Sequence, residues 1–167
     1  MKYLACLSLL LAMAGAHGAE RSLPPLELSD SAAQPANLVN LGDAPKWILV
    51  VVDPARAQTQ AALARLDWEA DGRNAHVVMV AVGADAPFQA LVKRLGTRSG
   101  ARFYRDATGS LPKALQLPGL PAVLGMTDDN RIAWQVIGLP PQQEKARSLF
   151  DSWLLGRDAA AAVQVAQ

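Results

Sequence analysis

Trp47-Ile48-Leu49-Val50-Val51-Val52-Asp53-Pro54 is the stretch from which the rest of the chain is read. Five aliphatic residues follow the tryptophan with no polar residue on either alternating side. That pattern belongs to a strand buried on both faces. Asp53 then offers an N-cap and Pro54 a first-turn proline, so a helix is expected to begin there. The helix is expected to reach about Ala70, with Ala62, Leu63 and Leu66 as its inner stripe, and to end at Asp71-Gly72. His76 to Val82 repeats the buried-strand pattern, which completes a strand-helix-strand unit.

Downstream of this unit, Pro87 is expected to open a helix whose Phe88, Leu91, Val92 and Leu95 share one face, closed by Gly96. Arg102 to Arg105 reads as a weaker strand, Asp106 to Gly109 as a turn and Ser110 to Leu117 as a short helix. Ala122–Thr127 and Arg131–Ile137 read as strands joined by a tight turn at Asp128-Asp129-Asn130. In the last helix Ala146, Leu149, Phe150, Trp153 and Leu154 form the apolar stripe, and Gly156 ends it. Upstream, residues 19–35 hold three prolines and read as an extended lead-in with a short strand near Leu26–Leu28. The domain proper is expected over 36–156, and the alanine-rich 157–167 as a flexible tail. The fold class is therefore α/β: a central mixed β-sheet with helices on both faces and a C-terminal β-hairpin plus helix.

The chain has 167 residues, 51% of them hydrophobic and 19% charged, which suits one ordinary domain and excludes global disorder. Lys2, the apolar run Tyr3 to Ala16 and the small residues from Ala14 to Ala19 predict a signal peptide over 1–18, with Ala19 as the mature start. Cleavage after Ala16 is the near alternative. The apolar run is shorter than the roughly 20 residues a spanning helix needs, so no stable membrane anchor is expected and the location is periplasmic or secreted. Leu4-Ala5-Cys6 does not make a lipoprotein box, because the apolar run follows the cysteine instead of preceding it. Loss of the leader removes Cys6 and His17, leaving His76 as the sole imidazole and no thiol. A disulfide scaffold, a metal or haem site of usual ligand type, thiol catalysis and any cofactor are thus not expected. The formal net charge of +1 falls to zero without Lys2, so nothing favours nucleic acid as a partner.

Three stretches resemble the thioredoxin fold, in its extracytoplasmic TlpA/ResA-like, peroxiredoxin-related branch. Asn37-Leu38-Val39-Asn40-Leu41-Gly42-Asp43-Ala44-Pro45-Lys46 is similar to the lead-in before that family's first core strand. Asp106, Gly109, Ala114, Leu117, Gly119 and Pro121 match its spacing on the approach to a cis-proline. Pro121-Ala122-Val123-Leu124, Asp128-Asp129-Asn130 and Gly138 are similar to the strand and hairpin that follow. The resemblance covers about residues 36–155 and implies a cis peptide bond between Leu120 and Pro121. Gly125 departs from the pattern, which has a bulky apolar residue there, and so is expected to weaken the strand or mark a bulge.

A second departure concerns chemistry. Alignment of Ile48–Val52 with the family strand places Ala57-Gln58-Thr59-Gln60 where the resemblance implies Cys-x-x-Cys. Neither sulfur is present, and thiol-disulfide exchange requires a thiolate. The resemblance then implies a redox-inactive protein that retains a groove for a protein or peptide partner. Arg56, Ala57 and Gln60 are its candidate residues on one side, Leu120 and Pro121 on the other. The role expected is that of an accessory or assembly factor of the bacterial envelope. Two alternatives stand beside it. A cysteine-independent enzyme or small-molecule binder would use Asp53, Gln60 and His76, provided that they converge. A structural subunit of an envelope machine, such as a conjugation or cytochrome-maturation apparatus, would bind through a sheet edge. The basic stretch Lys93, Arg94, Arg98, Arg102 and Arg105 is a further candidate surface, read first as a solvated face. Trp47, Trp68, Trp134 and Trp153 read as packing residues.

Overall fold

The computed structural model describes residues 21–65, 76–139 and 142–156, so the leader, the tail, Trp68 and the Asp71-Gly72 helix end lie outside the described residues. The elements in chain order are β1 (Glu27–Asp30), β2 (Pro35–Asn37), a 3-10 turn (Leu38–Asn40), β3 (Lys46–Val52) and α1 (Ala57–Arg65). Then come β4 (Val77–Val82), α2 (Asp85–Ser99), β5 (Arg102–Asp106), α3 (Ser110–Ala114), β6 (Ala122–Thr127), β7 (Ile132–Ile137) and α4 (Gln143–Leu154). The strands form one mixed sheet in the order β2-β1-β5-β4-β3-β6-β7. β3, β4 and β5 run parallel, while β6 is antiparallel to β3 and β7 antiparallel to β6.

Trp47 to Val52 are all buried in an interior strand of the sheet, between β4 and β6. Both crossovers, β3-α1-β4 and β4-α2-β5, step the same way across the sheet, so right-handed connection puts both helices on one face. Leu63 of α1, Phe88, Leu91 and Leu95 of α2, and Leu149, Phe150 and Trp153 of α4 share one core there with Ile48, Val50 and Val52. The other face is covered by Leu111 and Leu115 around α3, by Leu38 and Leu41, and by Leu23 and Leu28 of the lead-in. The lead-in from Arg21 onward is thus part of the domain's packing. Leu23 N donates to Asn130 O and Ile132 N to Arg21 O, which straps it to the start of β7.

Several local expectations need correction. Asp53 does not cap α1. Its Oδ1 accepts from Ala55 N and its carbonyl from Arg56 N, so it closes a turn, and the helix starts at Ala57. Pro87 is the third residue of α2, which begins at Asp85, and Gly96 does not end that helix. The buried face continues past Gly96 to fully buried Ser99, and Gly100 ends the helix with φ 64°. The strand near Leu26–Leu28 exists, but its hairpin partner β2 was not foreseen. α3 is shorter than expected, ending at Ala114.

The two glycines that face tryptophans are steric requirements. A Cβ on Gly42 would sit 2.6 Å from Trp47 Nε1, and one on Gly125 would sit 2.1 Å from Trp134 Nε1. Pairing between β6 and β7 shifts register just after Gly125, so the expected bulge is present. Trp47, Trp134 and Trp153 are buried packing residues. Trp153 stands edge-on to Trp134 with centroids 5.9 Å apart, and its Nε1 donates to Trp47 O.

Candidate functional site

Three strand ends meet at one rim of the sheet. The register pairs Val51 with Ala122, so Leu120-Pro121 lies beside Val52-Asp53 at the C-terminal end of β3. Ala122 pairs in turn with Ile137, and Gly138 N donates to Pro121 O at 2.7 Å. The Leu120-Pro121 bond is cis, as the resemblance implied. Pro121 is buried, Leu120 is half-buried against the second core, and Ile137 is 43% exposed. Leu120 makes no backbone hydrogen bond to another described residue.

On the β3 side, Arg56 is exposed and its Nε lies 2.9 Å from Asp53 Oδ2. Ala57 is the exposed first residue of α1. Gln60 is exposed one turn later, and its Nε2 donates to Pro54 O at 3.0 Å. The inward residue of that first turn is Thr59, which is fully buried and whose Oγ1 has no partner. Sequence reading passed over Thr59, although extending the Ala62-Leu63 stripe back by one helical turn points to it. Arg56, Ala57, Gln60, Leu120 and Pro121 are therefore brought to one rim by the backbone register.

The set Asp53, Gln60 and His76 is not assembled. β4 pairs Val77 with Ile48, five residues before Asp53 on β3, which puts His76 at the opposite end of the sheet. His76 is thus level with Trp47, six residues from Asp53, and at a rise of roughly 3.3 Å per residue the separation along the strands is on the order of 20 Å. His76 instead lies 3.7 Å from Asp43 Oδ1, the atom that also accepts from Arg102 Nη2 at 3.0 Å. Two members of the basic stretch are paired, Arg102 with Asp43 at 3.0 Å and Arg105 with Asp85 at 3.4 Å. Lys93 and Arg94 remain exposed on α2.

Among the described residues no group of three or more His, Cys, Asp or Glu side chains is placed to hold a metal ion. No helix among them is long and apolar enough to cross a membrane. The only cysteine, Cys6, lies outside them.

No protein-family model and no curated protein matches the chain. Solved structures do. A hypothetical protein of Sinorhizobium meliloti, SMc02350, superposes with a TM-score of 0.61 at 20% identity, over 84% of this chain and 86% of that one. A Chlorobium tepidum protein provisionally assigned as the thiol:disulfide interchange protein DsbE gives 0.60 at 17% identity, over 82% and 97%. The pneumococcal exposed lipoprotein thioredoxin Etrx1 of Streptococcus pneumoniae gives 0.54 at 15% identity, over 69% and 90%. At such identities likeness speaks for fold alone. The mixed sheet, the rim with its cis-proline and these superpositions together establish that the chain has a thioredoxin-like α/β fold without the Cys-x-x-Cys motif at the start of its first helix.

Proposed function

We propose that this is a redox-inactive, extracytoplasmic thioredoxin-like protein that binds an extended segment of a protein or peptide, as an accessory or assembly factor of the bacterial envelope. The observation that supports this most is the unpaired backbone of Leu120 at an otherwise well-paired rim. An extended peptide gains main-chain hydrogen bonds there without needing a charged or reactive partner. Half-buried Leu120 and exposed Ile137 offer apolar contact beside it. The leader composition supports an envelope location.

Redox inactivity is tested directly. The purified protein lacking its leader is expected to give no insulin reduction above the dithiothreitol background, because no residue from 19 onward carries a thiol. Turnover at the rate of an active thioredoxin would overturn the reading.

Binding is tested at the rim. Gln60→Arg with Leu120→Asp is expected to abolish peptide binding measured by NMR titration. Gln60 is exposed, but Leu120 packs on the second core, so the double variant should also lose about 1–2 kcal/mol of stability. Its fold is checked by far-UV circular dichroism. Wild-type affinity in a folded double variant would remove the rim as the binding surface.

A further inference from the structure

A second concavity opens where the rim turns the corner of α1. It is a groove of about 490 Å³ between the start of α1 and α2. Pro54, Ala55 and Gln60 form one wall, and Ala86, Ala90 and Arg94 the other. The last three are spaced four residues apart and so form a single stripe along α2. An alanine trough therefore ends in a guanidinium.

Charge decides what fits. Among the described residues no acid lines the groove. Asp85, the acid in the first turn of α2, is turned to Arg105 and Gln89 instead. Arg56, Arg102 and Arg105 each hold a carboxylate, whereas Arg94 has no ion-pair partner among the described residues. The groove is thus a small apolar trough with one unmatched cation. A single guanidinium suits a singly charged carboxylate, and a phosphate would call for a second cation, which the described lining residues do not supply.

We infer that this groove receives an acidic side chain, Glu or Asp, of an extended peptide, with Arg94 as its counter-charge. The inference rests on the peptide-binding reading of the rim and specifies which peptides the rim prefers. Gln60 belongs to both surfaces, so a chain lying over Leu120 and Ala57 continues into the trough. The small side chains of Ala55, Ala86 and Ala90 let a backbone approach closely. With Gln60 Nε2 held on Pro54 O, the amide is oriented in advance.

The probe is a set of acetylated, amidated octapeptides of alternating Ala and Val, with one Glu, Gln or Lys scanned through the positions. Affinities are measured by fluorescence anisotropy. At one position the Glu peptide is expected to bind on the order of fivefold more tightly than the Gln peptide, the scale of a surface ion pair. In Arg94→Gln the Glu-to-Gln ratio falls to one, and in Arg94→Glu the Lys peptide becomes the best of the three. Raising salt from 50 to 500 mM shrinks the ratio. Binding that responds to Gln60→Arg with Leu120→Asp but shows no Glu preference, or a preference that Arg94→Gln leaves intact, overturns this inference alone. No binding of any octapeptide overturns the rim reading together with it. A separate arm titrates N-acetyl-glutamate N-methylamide by NMR. Shifts at Ala86, Ala90 and Arg94 that vanish in Arg94→Gln support the site, and shifts elsewhere or none count against it.

Discussion

Gly125→Val is expected to destabilise the fold by about 3–5 kcal/mol, and Gly125→Ala by about 2–3 kcal/mol, the upper range for overpacking a close-packed core. A Cβ at this position falls 2.1 Å from Trp134 Nε1 and 2.2 Å from its Cε2, separations that no relaxed contact allows. The indole has little room to yield. Trp134 is 6% exposed and stands edge-on to Trp153, which is itself held by its bond to Trp47 O. Any retreat of Trp134 thus disturbs the core that α4 shares with the sheet. Urea unfolding is the measurement, with the midpoint falling and the slope unchanged if only native packing is affected. Trp134→Leu is harmful alone yet should restore part of the loss in the Gly125→Ala background, with a coupling of about 1–3 kcal/mol. A Gly125→Ala protein within about 0.5 kcal/mol of wild type would mean that the two residues do not face each other.

That pair also marks where sequence reading stops. Gly125 was legible as a departure and as a bulge, because a glycine inside an apolar strand has few other uses. Its partner was not. Which residue of β7 lies across from Gly125 depends on hairpin register, and the shift next to Gly125 changes the pairing from one side to the other. Long apolar runs fared better: β3, β4 and the stripes of α2 and α4 stand where composition put them, since burial on one or both sides leaves few alternatives. Helix ends fared worse. Gly96 and Gly100 are both candidate helix ends after the α2 stripe, and the residue pattern alone does not tell that Gly100 is the one that takes the left-handed cap conformation. The β1-β2 turn was invisible for a different reason. It places Ala33 at φ 61°, a conformation normally given to glycine or asparagine, and depends on Asp30 Oδ1 accepting from Ala32 N and Gln34 N.

The rim was half legible for the same physical reasons. Residues fixed by backbone punctuation, Leu120-Pro121 and the start of α1, came together as the resemblance implied. Side chains whose role depends on a neighbouring helix were not seen. Nothing in the order of residues shows that Ala86, Ala90 and Arg94 face Gln60 across a groove, because that contact is set by how α2 leans on α1. His76 is the converse case. Parallel pairing of β3 and β4 was readable, and applying it strand by strand already separates His76 from Asp53.

Asp106→Ala is expected to cost about 2–4 kcal/mol, and to loosen the cis-proline rim although Asp106 lies at the end of β5, outside it. Asp106 is a buried carboxylate, 2% exposed, at the hinge between β5 and α3. Its Oδ2 accepts from Leu111 N at 2.7 Å, and its Oδ1 from Thr108 N at 3.2 Å and Thr108 Oγ1 at 2.9 Å. α3 has Gly109 at its N-cap, with no side chain there to accept a bond, so Asp106 does the capping from outside the helix. Truncation to alanine strands the buried Leu111 N–H and removes the negative charge from the first turn. α3 then loses its fixed start, and the segment from Leu115 to Pro121 that it launches loses its anchor at one end. Asp106→Asn keeps the shape and one acceptor oxygen but turns an NH2 group toward a donor, so its cost should fall between those of wild type and alanine. The check is hydrogen exchange on both variants, with the amides of Leu111, Leu115 and Leu117 losing protection most in the alanine variant while those of β3 and β4 keep their order. Peptide binding at the rim should weaken in the same sequence, wild type, asparagine, alanine. If Asp106→Ala unfolds like wild type and leaves the Leu111 amide protected, the helix is held by its packing through Leu111 and Leu115, and the rim does not depend on this carboxylate.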